Sequence, residues 1–538
     1  MRALLASCVI VCVAPDAFAG EEVLVFDGEV PTDDDSRFFQ IPFEVPAGVV
    51  EIEVRHDDLS EANILDWGLF DPVRFRGWGG GNVEPAVVGI DAASRSYLPG
   101  PLPAGTWRVR VGEAKIDEEP ARYHVEVILR DEPTLKPQPE RTPYSPALPL
   151  ASGGRWWAGD LHVHSRESGD ARPTLEEIAV LARERGLDFV ELSDHNTTSQ
   201  LDFIADAQAR HPDLLFLPGV EYTTYAGHAN GIGATQWVEH EIDFPEGDIQ
   251  AAAAAFAEQG AVFSMNHPTL DLFDLCIGCA WRWGLDPARI DAMEITTGGW
   301  SESGWLLAPP SIEMWDALCS EGHRIVPVGG SDDHRAGQDL SSFGSPIGDP
   351  TTMVWAEELS VEAIVEGIRK GRTVVKLQGP DDPMVELSSS VPPVDGTITA
   401  ARTTFEIVAT GGGDRLLVQR NGLQIEGVQI DDDPFVHEIE VEAPASGEDF
   451  YRAVAVVDGT IRTVTANLWL RTGGEPDLDG GMERDAGAGP DAAPPEEDAG
   501  GGGCSVGAVQ GAPSSAPPAL FLVACLIVRP RKRVLGSG

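Results

Sequence analysis

Between residues 155 and 334 the chain repeats one arrangement: a short apolar run, then at once a histidine or a carboxylate. Residues 155–158 lead to Asp160-Leu161-His162-Val163-His164-Ser165. Phe189-Val190-Glu191-Leu192 leads to Ser193-Asp194-His195-Asn196. Residues 214–217 lead to Gly219-Val220-Glu221, with Gly227-His228 soon after. Residues 261–265 lead to Asn266-His267-Pro268, and residues 325–328 to Gly330-Ser331-Asp332-Asp333-His334. Successive side chains of a strand point to opposite faces, so His162 and His164 project the same way. Asp332 and His334 repeat that spacing. Imidazoles and carboxylates gathered at strand ends are metal ligands. One His-x-His is a weak signal, equally suited to two surface histidines; its repetition in register with strands is what constrains the fold.

Helical patterns separate the strands. Thr174 and Glu177 form a capping box ahead of the apolar stripe Leu175, Ile178, Leu181 and Ala182. Residues 251–257, 312–318 and 361–369 also read as helices, residues 290–295 as a strand leading to Thr296, and residues 373–375 as a last strand. Repeated strand-then-helix units imply a parallel sheet, and this many suggest a closed or nearly closed α/β barrel. Chemistry in such folds sits at the C-terminal ends of the strands, where each candidate ligand falls.

The flanks differ in character. Residues 1–19 read as a secretory signal peptide ending at Ala17-Phe18-Ala19. Residues 20–135 read as a β-sandwich, 136–150 as a stiff linker with five prolines, and 151–378 as the barrel. Residues 380–472 read as an immunoglobulin-like sandwich with hairpin turns at Asn421-Gly422 and Asp458-Gly459. Residues 473–503 are an acidic Gly/Asp/Pro-rich tether unable to build a core. Residues 504–538 hold Cys504, about ten apolar residues and a basic end. Ten residues of helix span about 15 Å, half a bilayer core, so a sorting signal fits better than a permanent anchor. With 38 Lys+Arg against 87 Asp+Glu and a net charge of -49, the surface repels phosphate backbones, which excludes nucleic-acid duplex binding.

Of 12 histidines, six follow strand ends: His162, His164, His195, His228, His267 and His334. His211, His240 and His323 sit at helix ends or in loops and are poor ligand candidates. His56, His124 and His437 lie in the flanking modules. Glu221, Asp332 and Asp170 are the carboxylates that complete the set, with Glu167 competing for the role of Asp170. In an exported chain Cys276-Ile277-Gly278-Cys279 is most simply a small-loop disulfide; a zinc knuckle needs two further ligands, and none is obvious nearby in sequence. Trp281, Trp283, Trp300 and Trp305 are candidates to wall the pocket. Arg166 and Arg335 are candidates to bind phosphate, and Asn266 to orient substrate or cap a turn.

The ordered set D-L-H-V-H-S, S-D-H-N, G-V-E, N-H-P and G-S-D-D-H resembles the PHP (polymerase and histidinol phosphatase) metallohydrolase superfamily over about residues 155–378. Within it, the flanking β modules resemble the secreted carbaryl-hydrolase-type (CehA/McbA-like) branch. The resemblance implies a distorted seven-stranded α/β barrel with two or three divalent ions. It implies that His162, His164, Glu221 and Asp332 hold the first ion. Glu221 would bridge to a second, held also by His228 and His267, and Asp170, His195 and His334 would hold a third. The family's common loop reads Ser-Asp-Gly, whereas this chain has Ser168-Gly169-Asp170. The end of the chain resembles the C-terminal sorting signals of myxobacterial surface proteins, which implies export and attachment at the outer surface or membrane; periplasmic, surface-anchored and secreted destinations all fit.

Such donors suit Zn, Mn or Fe, and ligand type alone does not choose. Close ions lower the pKa of a shared water, so hydroxide is present at neutral pH to attack phosphorus or carbonyl carbon. Glu221, Asp332 and His267 are the residues expected to carry that chemistry. The substrate expected is a small anionic molecule or ester. Phosphoester hydrolysis is the leading expectation, carbamate or carboxyl-ester hydrolysis the first alternative, and a non-catalytic surface binding protein on the same scaffold the second.

Overall fold

Along Phe38–Val45 the buried Ile41, Phe43 and Val45 alternate with exposed residues, so this segment can bury only one face and needs a partner sheet. The computed structural model describes residues 18–32, 36–272, 276–284, 289–300, 304–338 and 346–473. The expected signal peptide, tether and sorting signal lie almost wholly outside the described residues. In the first part of the chain two four-stranded antiparallel sheets form. One orders Glu21–Glu29, Arg122–Arg130, Glu51–Asp57 and Ala86–Gly89; the other orders Phe38–Val45, Gly105–Lys115, Ile64–Phe70 and Phe75–Gly80. Ile52, Val54, Val125 and Val127 from the first share a core with Ile41, Phe43, Trp107 and Val109 from the second. Trp107 is fully buried, and its indole N–H donates to the Pro103 carbonyl at 2.9 Å. Trp107→Ala is expected to cost about 3–5 kcal/mol, measured as a lower urea midpoint; an unchanged midpoint would contradict this packing.

The next segment is mixed α/β. Leu175–Glu184 starts at Thr174, whose side chain and that of Glu177 cap each other's backbone N–H. Asp248 and Ser360 likewise cap Ile249–Glu258 and Val361–Arg369. Two elements differ from expectation. Leu201–Arg210 is a helix whose buried stripe is only Leu201, Ile204 and Ala207, with no side-chain cap. Trp305–Ser320 begins well before residue 312 and runs through Pro309 and Pro310, residues that argue against a helix when read from sequence.

Strands of this segment fall into two ladders. In the first, Leu215–Pro218, Phe189–Leu192 and Ala151–Val163 are parallel neighbours. Thr351–Leu359 then pairs antiparallel with Ala151–Val163, and Thr373–Lys376 with Thr351–Leu359. In the second, Glu221–Thr224, Gly227–Ile232 and Val262–Met265 are antiparallel, while Ala292–Thr297 and Val326–Gly330 continue in parallel. The ladders therefore do not close into the uniformly parallel barrel expected. They meet through two isolated parallel bridges, Val163 with Asp333 and His195 with Glu221. Both bridges lie among the candidate ligands.

The C-terminal strands are also more integrated than a trailing module. Thr460–Thr465 pairs with Thr373–Lys376, so the first ladder runs on through Glu448–Val457, Arg415–Arg420 and Leu423–Gln429. This pairing covers what would otherwise be an open strand edge. Met384–Ser389, Arg402–Thr410 and Phe435–Glu442 form a second, three-stranded sheet. Asn421-Gly422 and Asp458-Gly459 both have positive φ at the two turn positions, the geometry that matches strand twist in a two-residue hairpin. Among the described residues no helix is long and apolar enough to cross a membrane.

Candidate metal centre

His162 sits next to the last residue of Ala151–Val163, and His164 follows its end. The hairpin supplies more: its register sets Glu221 opposite Asn230 and Thr223 opposite His228, so these four side chains share one face. His195, His267, Asp332 and His334 come from the loops after Phe189–Leu192, Val262–Met265 and Val326–Gly330. Two of these ligands are held in an unusual backbone state. His267 has φ +27° and Asp332 φ +58°, a region uncommon outside Gly, in which Asn, Asp and His are the most frequent other residues, at a cost of order 1–3 kcal/mol each.

Glu221 is the centre. It is fully buried, and its two oxygens face different histidines. Oε1 lies 3.4 Å from His162 Nε2, 3.2 Å from His228 Nδ1 and 3.3 Å from His267 Nε2. Oε2 lies 3.4 Å from His164 Nε2 and 2.8 Å from His195 Nδ1. Asp332 Oδ1 stands 3.3 Å from His162 Nε2 and 3.1 Å from His164 Nε2. Asp170 Oδ2 is 3.4 Å from His195 Nε2 and 3.3 Å from His334 Nε2. All nine residues proposed from sequence are thus brought to one place. Glu167 is not among them: it is turned away, accepting from Ser96 N at 3.2 Å and pairing with Arg141 at 3.4 Å.

The donor set fits divalent ions. Two ligands each about 2.05 Å from a tetrahedral ion stand about 3.3 Å apart, which is the spacing of most of these pairs. His162 Nε2, His164 Nε2, Glu221 Oε2 and both ring nitrogens of His228 are buried without a hydrogen-bond partner. Buried polar atoms are ordinarily satisfied, so orphans in this number call for a ligand. Among the described residues three groups have donor atoms within 4.8 Å of one another: His162, His164, Glu221 and Asp332; His164, His195 and His334; and His228, His267 and Cys279.

Electrostatics divide the histidines. Burial opposes charge on His162 and His195. The carboxylates of Asp332, Glu221 and Glu294 nevertheless hold His162 well above the ordinary imidazole value, and those of Glu221 and Asp170 do the same for His195. His334 is raised to about 9 against burial by Asp170 and Asp332. His164 is pushed down to about 3 by burial, with His334 and His195 adding to it. Despite burial, the surrounding imidazoles hold Glu221 well below the carboxylate range. Neighbouring imidazoles likewise hold Asp332 and Asp170 below that range, so these three carboxylates are anionic, and His164 is already in the neutral form that binds metal.

Residues outside the nine fix these ligands, and of them Glu294, Asp194 and Asp160 were not singled out from sequence. Glu294 accepts from His162 Nδ1 at 2.8 Å and from His267 N at 2.7 Å, which leaves His162 Nε2 free for an ion. Its signal was a lone acid inside the otherwise apolar run Ala292-Met293-Glu294-Ile295, an arrangement that is costly unless partnered. Asn266, a candidate to orient substrate or cap a turn, donates its amide to Glu221 Oε1 at 3.0 Å and to Asn230 Oδ1 at 2.8 Å. Asp194 accepts from Ser165 N at 2.7 Å, Ser168 N at 2.9 Å and Ser165 Oγ at 2.8 Å, pinning the loop that carries Asp170. Asp160 accepts from His162 N, Ser331 N and Gly348 N, tying the first and last ligand loops together. Glu294→Gln is expected to lower ion affinity or turnover by about 10–100-fold, read by ion titration of the folded variant; wild-type affinity and rate would contradict the role.

The remaining candidates lie elsewhere or serve packing. His211 pairs with Glu176 at 3.0 Å, His240 packs edge-on to Trp78, and His323 lies 3.8 Å from Glu321. His56 stacks on Trp67, His124 pairs with Asp27, and His437 with Glu426. Arg166 is half-exposed beside Glu167. Trp283 donates to Thr224 Oγ1 and Trp281 to the Trp283 carbonyl, both packing the hairpin. Trp305 is exposed. Cys276 and Cys279 are joined as a disulfide, and Cys319 is free and buried.

No family model matches the chain, and no curated protein matches it. Among solved structures it is similar to a two-domain protein from Bacteroides vulgatus containing a predicted PHP-like metal-dependent phosphoesterase, with 17% identity over 61% of this chain and 99% of that one and a TM-score of 0.34. A provisionally assigned metal-dependent phosphoesterase from Bifidobacterium adolescentis is 14% identical over 35% of this chain and 92% of its own, TM-score 0.24. An amidohydrolase from Chromobacterium violaceum, solved with sulfate and no metal, is 17% identical over 35% and 91%, TM-score 0.23.

Proposed function

We propose that the chain is an exported metal-dependent hydrolase of the PHP superfamily that cleaves phosphoesters, with the two facing ladders of residues 151–378 acting as a distorted barrel. The flanking β modules are carried with it, and the C-terminal signal places it at the outer surface or in the surrounding medium. The observation that supports this reading is Glu221, one buried carboxylate whose oxygens face five histidines. Two or three divalent ions held by the three ligand groups would supply an ionised water at neutral pH and stabilise negative charge on oxygen. The chain's own residues do the rest. Glu221 holds the groups together, because its Oε1 belongs with His162, His228 and His267 and its Oε2 with His164 and His195. Glu294 and Asn266 fix the orientation of His162 and Glu221, and the strained backbone at His267 and Asp332 aims both inward. His164 belongs to two of the groups and Glu221 faces histidines of all three, so they face one small volume, which suits a tetrahedral phosphoryl group whose oxygens spread over several positive centres.

The test is a substrate panel of p-nitrophenyl phosphate mono- and diesters, p-nitrophenyl acetate and an aryl carbamate. It is run on the wild type and on His164→Ala and Asp332→Ala. Phosphoester turnover by the wild type alone is expected, with both variants folded and inactive. Turnover confined to the carboxyl ester or carbamate would overturn the substrate assignment, and normal activity in either variant would overturn the site.

A further inference from the structure

We propose that the Cys276–Cys279 disulfide gates the metal centre, and that reduction delivers the Cys279 thiolate as a third side chain to the position shared by His228 and His267. The proposal rests on the metal-centre reading above. The two ligands missing from sequence for a cysteine site are supplied by the fold. Cys279 Sγ lies within 4.8 Å of donor nitrogens on both histidines, and all three residues are buried. Neither ring nitrogen of His228 has a hydrogen-bond partner, and Nδ1 lies 3.2 Å from Glu221 Oε1, so this group contains a buried imidazole with unused ligand capacity. His267 Nδ1 meets the Cys279 carbonyl at 3.3 Å.

Placement of the sulfur is fixed from both sides. Gly278 has φ +84°, and a Cβ there would stand 2.1 Å from the Thr224 carbonyl, so the loop lies directly on the turn that precedes His228. Arg282 N donates to the Ala226 carbonyl at 2.8 Å and Trp281 N to the Pro268 carbonyl at 3.0 Å. The loop is therefore tied to the His228 hairpin and to the His267 loop at once.

Chemically the switch is a two-electron exchange. A dithiol reductant gives two electrons and two protons to the disulfide and becomes a disulfide itself, leaving Cys276 and Cys279 as thiols. Cys279 then loses its proton to solvent on binding a divalent ion, since the bound form of cysteine is the thiolate. With the disulfide closed, Sγ is committed to Cys276 and is a poor donor. Oxidised protein thus offers His228 and His267 at this position, and reduced protein adds sulfur.

The full chain is loaded with Co(II) without oxygen, either oxidised or after treatment with a water-soluble phosphine. The phosphine takes oxygen from water and leaves the water's two protons on the sulfurs. Reduced wild type is expected to show a thiolate-to-cobalt charge-transfer band in the near ultraviolet. That band should be absent from oxidised wild type and from reduced Cys279→Ser, and retained in reduced Cys276→Ser. Bound cobalt is counted in parallel. Cobalt bound without the band, or a band that survives in Cys279→Ser, overturns the gate while leaving the hydrolase reading intact. A chain that binds no cobalt in either state overturns both.

Discussion

Glu221→Gln will lose more than about 100-fold of phosphoester turnover at saturating ion, a loss exceeding that typical of residues that merely support a metal ligand. The amide has the shape of the carboxylate, so the strand Glu221–Thr224 keeps its pairing with Gly227–Ile232. What disappears is charge in a buried position facing five imidazoles. His162 and His195, held protonated in the ion-free chain chiefly by neighbouring carboxylates that include Glu221, lose a counter-charge. An ion bound between groups loses the oxygen they share. The amide keeps Asn266's bond only by turning its oxygen to the Oε1 position, which sets its NH2 group toward His164 and His195. The measurements are steady-state rate, ion content per chain and circular dichroism on one preparation. Full ion content and wild-type rate would contradict the bridging role.

Removal of the ions is the second large effect. Chelation is expected to abolish turnover, and adding back Zn, Mn or Fe to restore it. Because ions bind the folded and not the unfolded arrangement of these nine residues, free ion at a hundred times its Kd stabilises the fold by about 2.7 kcal/mol, seen as a higher melting temperature. The pH dependence has a definite sign. His334, raised to about 9, and His162 and His195, raised well above the ordinary value, carry protons at neutral pH in the ion-free chain. Loading must displace them, so ion addition at pH 7 releases protons and affinity weakens as pH falls, roughly tenfold per unit for each proton displaced. For the ion-free fold the sign is opposite. His334's contribution to stability is fully present below its ordinary value of 6.5 and is lost as pH rises through about 9. No proton release on loading, or tighter binding in acid, would contradict this charge assignment.

Much of this was legible in the sequence because ligands that follow strands are ordered by the strands. His162 and His164 needed only the two-residue period of a strand, and the capping box at Thr174 and Glu177 needed only local hydrogen bonding. The hairpin from Glu221 to Ile232 was not legible as two strands. Its inward face carries Glu221, Thr223, His228 and Asn230, polar because they line the centre, and that breaks the apolar alternation by which strands are recognised. Thr351–Leu359 was not read as a strand: Met353 to Ala356 is one apolar run without alternation, and its antiparallel pairing with Ala151–Val163 leaves no local trace. Trp305–Ser320 hid behind two prolines. Glu294 and Asn266 act through residues distant in sequence, so only the folded chain joins them to His162 and Glu221. The separation of Glu167 from Asp170 was likewise decided by tertiary contacts, through Ser96 and Arg141 of the preceding segments.

Anomalous X-ray scattering from crystals of the zinc-loaded protein, collected on both sides of the zinc absorption edge, locates bound ions without reference to activity. Peaks are expected between His162, His164, Glu221 and Asp332, and beside them at the His228–His267 group and at the Asp170–His195–His334 group, two or three in all. Zinc bound elsewhere, with no peak within coordination distance of Glu221, would contradict the proposed centre.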